Sequence, residues 1–119
     1  MISPAVHAAD GLPLTVPALL RRQAAARPRH PLLACDGERL TYAEADRRSA
    51  ALATGLLAAG AGKGTHIGIL YPNGPDFVVG YQGAAETCQA PAVGSATVRI
   101  SPYPATDDWF VEIPCSRIP

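Results

Sequence analysis

Neither sign of charge is in excess in these 119 residues: ten basic side chains stand against ten acidic ones, for a formal net charge of zero. Nucleic-acid binders carry a basic face. Here the Lys and Arg residues are scattered, with Arg21, Arg22, Arg27 and Arg29 the one loose cluster, so nucleic acid is excluded as an expected partner. No run approaches the ~18 apolar residues of a membrane span, so no membrane span is expected. The N-terminus lacks the basic start and unbroken apolar stretch of a secretory signal, since Asp10 and several prolines interrupt it. Cys35, Cys88 and Cys115 are odd in number and lack the spacing of metal ligands. The expectation is reduced structural thiols in a soluble, cytoplasmic protein. His7, His30 and His66 are too dispersed to suggest a metal site, and no internal repeat is visible.

What remains suits one small α/β domain. The hydrophobic share is 48% and the charged share 17%. Much of the apolar content is alanine, which favours helix but brings little volume to a core. Residues 1–14 read as a leader without periodicity. Thr15 can cap a first helix near 16–27, with Pro17 in its first turn, where a missing N–H costs little. Val16, Leu19, Leu20 and Gln23/Ala24 keep helical spacing, and Pro28 ends the element. An apolar run from Leu32 to Cys35 is followed by Asp36-Gly37, a hairpin signal, because both central positions of a type I′ turn need positive φ. Glu38 to Thr41 is the returning strand.

Thr41-Tyr42-Ala43-Glu44 fits a capping box, in which the Thr41 hydroxyl and the Glu44 carboxylate both accept from free N–H groups at a helix start. Ala45, Ser49, Leu52, Ala53, Leu56 and Leu57 hold one face of the helix expected at 42–59, and Gly60 suits the left-handed position beyond its end. His66 to Tyr71 is a strand whose apolar residues are too continuous for a half-exposed edge, as in a parallel strand covered on both faces. Pro72 to Pro75 breaks it. Asn73 or Asp76 can cap a third helix near 75–85, which Phe77, Val78, Tyr81 and Ala84/Ala85 start. A strand, turn and helix need a second parallel strand to complete the unit. From Glu86 onward only Thr97 to Ile100 is β-like, and prolines punctuate a tail expected to be mostly irregular.

The segment LTYAEADRRSAALATGLLAAGAGKGTHIGILYPNGPDFVVGY resembles the opening of adenylate-forming enzymes, AMP-forming fatty-acyl-CoA synthetases in particular. In that family a segment such as LTYAELDRRSNRLAAGL precedes a Gly-rich turn, a hydrophobic strand and PNGPDFVV or a close relative. TVPALLRRQAAARPRHPLLACDG resembles the helix and hairpin that introduce the same fold. The resemblance covers about residues 15–85 and stops after Ala85, where the family continues with a strand like GAVAVPLS. A break in reading frame or a genuine alternative tail would each account for TCQAPAVGSATVRISPYP in its place. The family implied uses ATP and Mg2+ to activate a carboxylic acid as an acyl-adenylate and passes the acyl group to CoA. Its phosphate loop, its Tyr-Gly-x-Thr-Glu segment, its ribose-binding Asp and its C-terminal Lys all lie beyond the matched segment. No catalytic, cofactor-binding or metal-binding residue is therefore carried over, and no cofactor is expected in these residues by themselves.

Several patterns imitate sites. Gly60-Ala61-Gly62-Lys63-Gly64-Thr65 looks like a phosphate loop, but it follows a helix and precedes a strand, the reverse of the order that aims N–H groups at phosphate. Leu57 stands where the pattern wants glycine, and Gly64 where it wants Ser or Thr. Ser49, His66 and Asp76 could be drawn as a triad, yet no nucleophile elbow surrounds Ser49, and a small packing residue is the plainer reading. Asp107-Asp108 is better read as a solvated pair than as an acid/base dyad. Trp109 and Phe110 are the tail's large aromatics.

The expected architecture is thus a partial N-terminal domain of the adenylate-forming ligase fold at residues 15–85. It has an incomplete sheet with flanking helices, between a leader at 1–14 and a divergent tail at 86–119. The expected function is that of a truncated acyl-CoA ligase, inactive alone. Two other readings stand beside it: a non-catalytic interaction module that uses an unfinished sheet, and, more remotely, a fragment of a P-loop nucleotide kinase. An uncovered strand edge would invite self-association and leave the chain marginally stable.

Overall fold

The structure, a computed structural model, describes residues 15–91, 98–102 and 111–114, the last group as backbone. Three helices and five short strands make an α/β arrangement with two small sheets. Helix α1 (Val16–Ala26) starts as expected: Thr15 Oγ1 accepts from the Ala18 N–H at 3.4 Å, and Pro17 sits in the first turn. Its inner face is Pro17, Ala18, Leu20 and Ala24, whereas Leu19 is 40% exposed. The spacing of Val16, Leu19 and Leu20 fitted a helix without deciding which edge of the apolar stripe meets the core.

Strands β1 (Pro31–Cys35) and β2 (Glu38–Thr41) form the antiparallel hairpin, with Cys35 opposite Glu38. At the turn Asp36 has φ 50° and Gly37 φ 81°, both positive as a type I′ turn requires. Helix α2 (Tyr42–Ala58) follows at once. Thr41 Oγ1 accepts from the Glu44 N–H at 3.2 Å, but the carboxylate differs from expectation: Glu44 Oε1 accepts from the Thr41 hydroxyl at 2.9 Å. Thr41→Ala removes both bonds and leaves a helix-start N–H without its partner. It is expected to lower the unfolding free energy by about 0.5–2 kcal/mol in urea titration, with Thr41→Ser close to wild type.

The end of α2 is closed in the same local way. Gly60, at φ 92°, donates to Leu57 O, and Ala61 donates to Leu56 O, each at 3.0 Å. These two bonds make the Schellman arrangement, and Leu56 and Ala61 also share a buried cluster, the apolar contact that accompanies it.

Strand β3 (His66–Ile69) is shorter than the expected 66–71. The Leu70 N–H still donates to Ile100 O at 3.0 Å, while Tyr71 packs against the core instead of extending the strand. Helix α3 (Pro75–Thr87) begins at Gly74, whose φ of 152° favours glycine, and no side chain caps it; neither Asn73 nor Asp76 takes that role. Its closest-packed face is made mostly of small residues. Val79, Gly80, Gly83, Ala84, Ala85 and Thr87 are buried, and Phe77, Val78 and Tyr81 are half-buried. Small residues allow α3 to approach α2 and the sheet closely, so they occupy the contact that larger side chains would hold open.

Strand β4 (Val98–Ile100), inside the β-like stretch, pairs parallel with β3 and completes the strand–helix–strand unit. Strand β5 (Val111–Pro114) pairs antiparallel on the other edge, so the order is β4-β3-β5 and β3 has a neighbour on each side. The expectation that β3 lacks a defined parallel neighbour is corrected by β4. Both added strands fall in the segment expected to be mostly irregular; at three and four residues they are too short to show periodicity.

Two buried clusters form the core: Leu56, Ala61, Ile67, Ile69, Ala84, Ala85 and Cys88 under the sheet, and Leu20, Leu40, Ala45 and Val79 beneath the hairpin. Leu52 packs against both and joins them. Cys35 is a free thiol, as expected, but Cys88 at the end of α3 is disulfide-bonded. The expectation of reduced thiols is corrected there. No helix among the described residues is long and apolar enough to cross a membrane.

Candidate functional site

Parallel strands followed by helices leave a crevice beyond their carboxyl ends, and ligands of open α/β sheets favour that place. Here β3 and β4 both end on one side, where a crevice of about 410 Å³ opens between α2 and α3. Arg48, Ala51 and Leu52 of α2 form one wall, Asp76, Val79 and Gly80 of α3 the other, with Tyr71 and Pro102 at the strand ends. A Cβ on Gly80 would lie 3.4 Å from Ile100 Cδ1 and 3.6 Å from Ile69 Cγ2, so glycine here lets the helix rest directly on the sheet.

The crevice has one charged feature. Arg48 Nη2 donates to Asp76 Oδ1 at 2.7 Å, tying the middle of α2 to the first turn of α3. Both side chains are well exposed, so the pair fixes geometry more than it adds stability. The remaining walls are largely apolar. Such a crevice can seat an apolar group beside a neutralised guanidinium, and it presents no nucleophile with a base to activate it.

The imitators of sites are now placed. In the loop that looks phosphate-binding, five of the six N–H groups already have partners: Gly60 and Ala61 close α2, Gly62 N–H donates to Thr65 Oγ1 at 3.0 Å, Lys63 N–H to Ala90 O at 2.7 Å, and Thr65 N–H to Gly62 O at 3.0 Å. The loop is a helix end and a turn, paired alongside the chain at Pro91. Ser49 is 1% exposed, and its hydroxyl donates to Asp46 O at 3.1 Å. His66 opens β3 while Asp76 follows its far end, so the strand holds the last two members of the imagined triad apart. His30 Nδ1 lies 2.9 Å from Pro31 O, and its ring is tilted against Tyr42. Among the described residues no group of three or more His, Cys, Asp or Glu could hold a metal. His7, Asp107, Asp108, Trp109, Phe110 and Cys115 lie outside the described residues.

With this geometry in hand, the comparisons with known proteins are decisive. A family model described as AMP-binding enzyme matches residues 20–94, well over half of the chain. The chain belongs to the AMP-binding enzyme family. The match reaches past Ala85, where the resemblance in the motifs ends. Surfactin synthase subunit 1 of Bacillus subtilis (strain 168) is 36% identical over 88 residues, which cover 74% of this chain and 2% of that protein. No solved structure matches.

For a member of the AMP-binding enzyme family the natural ligands to test are a nucleotide and its cation. The described residues do not fit them. The glycine-rich loop at residues 60–65 has five of its six N–H groups engaged internally, no acidic cluster among the described residues awaits a cation, and the crevice offers a guanidinium already paired with Asp76. No chemical step is assigned to these residues. The crevice between α2 and α3, absent from the sequence reading, had one legible sign: the β3–turn–α3 order, which places a helix start beyond a buried strand.

Proposed function

We propose that these 119 residues are the opening α/β segment of an adenylate-forming ligase domain, and that they form no acyl-adenylate by themselves. The family match over residues 20–94 carries this reading. The second half of it rests on the sequence, in which none of the nucleotide-contacting motifs implied by the resemblance occurs. Within the family the acid would be a fatty acid destined for CoA, because the run from Leu40 to Tyr81 resembles the fatty-acyl-CoA synthetases. The likeness to a surfactin synthase subunit leaves other carboxylic acids as competitors. The segment's role would then be structural: to supply β3, its flanking helices and the α2–α3 crevice as a platform for the rest of the domain. A cytoplasmic setting belongs to the same proposal, although the disulfide at Cys88 favours an oxidising one.

Two measurements test the proposal together. The purified chain, free of full-length enzyme, is expected to show no ATP–pyrophosphate exchange above background with either fatty acids or amino acids. Exchange by the chain alone would refute its inactivity. Residues 15–85 grafted in place of the matching segment of a full-length fatty-acyl-CoA synthetase are expected to preserve exchange. A folded but dead chimera would count against the platform role.

A further inference from the structure

Outside the crevice, the junction of α1, α2 and α3 gathers polar groups that the proposed function does not use. Glu86, in the last turn of α3, has a side chain only 13% exposed, and its Oε1 lies 3.5 Å from Nη1 of Arg21 on α1. Asp46 of α2 acts on the same carboxylate. One turn earlier on α3, Gln82 Oε1 is buried without a hydrogen-bond partner. Positions four apart share a helix face, so Gln82 and Glu86 are neighbours. The hairpin reaches the adjoining cluster with Leu32, Leu33 and Leu40. Among the described residues, Arg21 and Asp46 are thus the charged groups that bear on Glu86 from the packed elements.

We propose that Glu86 is a proton-operated latch for α1: taking up one proton tightens the three-helix junction, and releasing it loosens the junction. An ionised carboxylate only accepts hydrogen bonds, so it cannot serve Gln82 Oε1. Its contact with Arg21 is long, and Arg21 is partly in solvent, which screens the attraction. The protonated carboxyl gains an O–H that can donate to Gln82 Oε1, while its other oxygen still accepts from Arg21. The proton comes from water and no other bond changes. Burial, the largest influence, raises Glu86 above the ordinary 4.5; Arg21 pulls it down and Asp46 pushes it up. The folded state therefore holds this proton more tightly than the unfolded chain. The stability it contributes is fully present below pH 4.5 and is lost as pH rises through the raised value.

Hydrogen exchange of the α1 amides in the full chain, normalised to intrinsic rates, tests the latch. Between about pH 7.5 and about pH 5, protection is expected to rise as the folded state takes up the proton. Glu86→Gln should show the high protection at both pH values. Wild-type protection that is flat or falls on acidification overturns the proposal. So does a Glu86→Gln variant less protected than wild type at both pH values, which would mean that the ion pair with Arg21 is what holds α1. A Glu86→Gln variant that keeps the wild-type pH dependence also overturns it, assigning the effect to another group. Should the variant fail to fold, a carboxyl-carbon NMR titration of wild-type Glu86 decides: a midpoint above 4.5 supports the latch, and one at or below it refutes it.

Discussion

Replacing Ile67 with Ala is expected to lower the unfolding free energy by about 2–5 kcal/mol, the range for deleting most of a fully buried aliphatic side chain. Ile67 is 0% exposed and central in β3, opposite Val98 on one side and Ile113 on the other. Its cluster includes Ala61, Ala84 and Ala85, whose short side chains cannot reach into the space it leaves. Whole domains are stable by only about 5–15 kcal/mol, so the change removes a large share of what holds this chain together. Urea denaturation followed by circular dichroism measures it. Ile67→Val should cost about 0.5–1.5 kcal/mol, which separates lost volume from a general intolerance at the site. An Ile67→Ala midpoint equal to wild type would mean that β3 is not the centre of the core.

Gly83→Ala should destabilise by about 1–3 kcal/mol, the range for overpacking a close contact, although alanine ordinarily improves a helix by about 1 kcal/mol over glycine. The clash decides the sign. A Cβ at Gly83 would stand 2.8 Å from Leu52 Cδ2, 3.0 Å from its Cγ and 3.1 Å from its Cβ, so rotating the far end of Leu52 cannot clear it. Gly55, on α2, has nothing within 4 Å of its would-be Cβ, and Gly55→Ala should therefore stabilise by roughly 0.5–1 kcal/mol. Leu52→Ala in the Gly83→Ala background should destabilise by less than the two single changes added, because truncating Leu52 removes the Cγ and Cδ2 atoms that the new Cβ would meet. Thermal denaturation of the four variants measures all of this. Additive losses at residues 52 and 83 would rule out the close approach of α2 and α3 there.

The belonging of this chain to the AMP-binding enzyme family, with an α/β piece of three helices, was legible because its signals are local. Thr15 and Thr41 cap helices with their own hydroxyls, Asp36-Gly37 adopts the two positive φ values of its turn, and Gly60 closes α2. Each depends on a few consecutive residues, so the sequence determines it without help from the rest of the chain. The phosphate-loop imitation was also readable as such, since its order of helix, loop and strand runs opposite to a phosphate cradle.

Only the tertiary structure decided which faces meet. Leu19 belongs to the apolar stripe of α1 yet faces solvent, and α3 turns its small residues, rather than Phe77 and Tyr81, to the closest contact. Periodicity fixes a stripe's spacing, but its rotation depends on the shape of the partner surface, here the side chain of Leu52 and the strand ends at Ile69 and Ile100. The partners of β3 were hidden for a related reason. A strand of three or four residues carries no readable period, and β4 and β5 become strands because β3 offers unpaired N–H and C=O groups along both edges. The sequence by itself determined the local elements and their order; the pairing, the crevice between α2 and α3, and the burial of Glu86 beside Gln82 arise from contacts between residues distant in the chain.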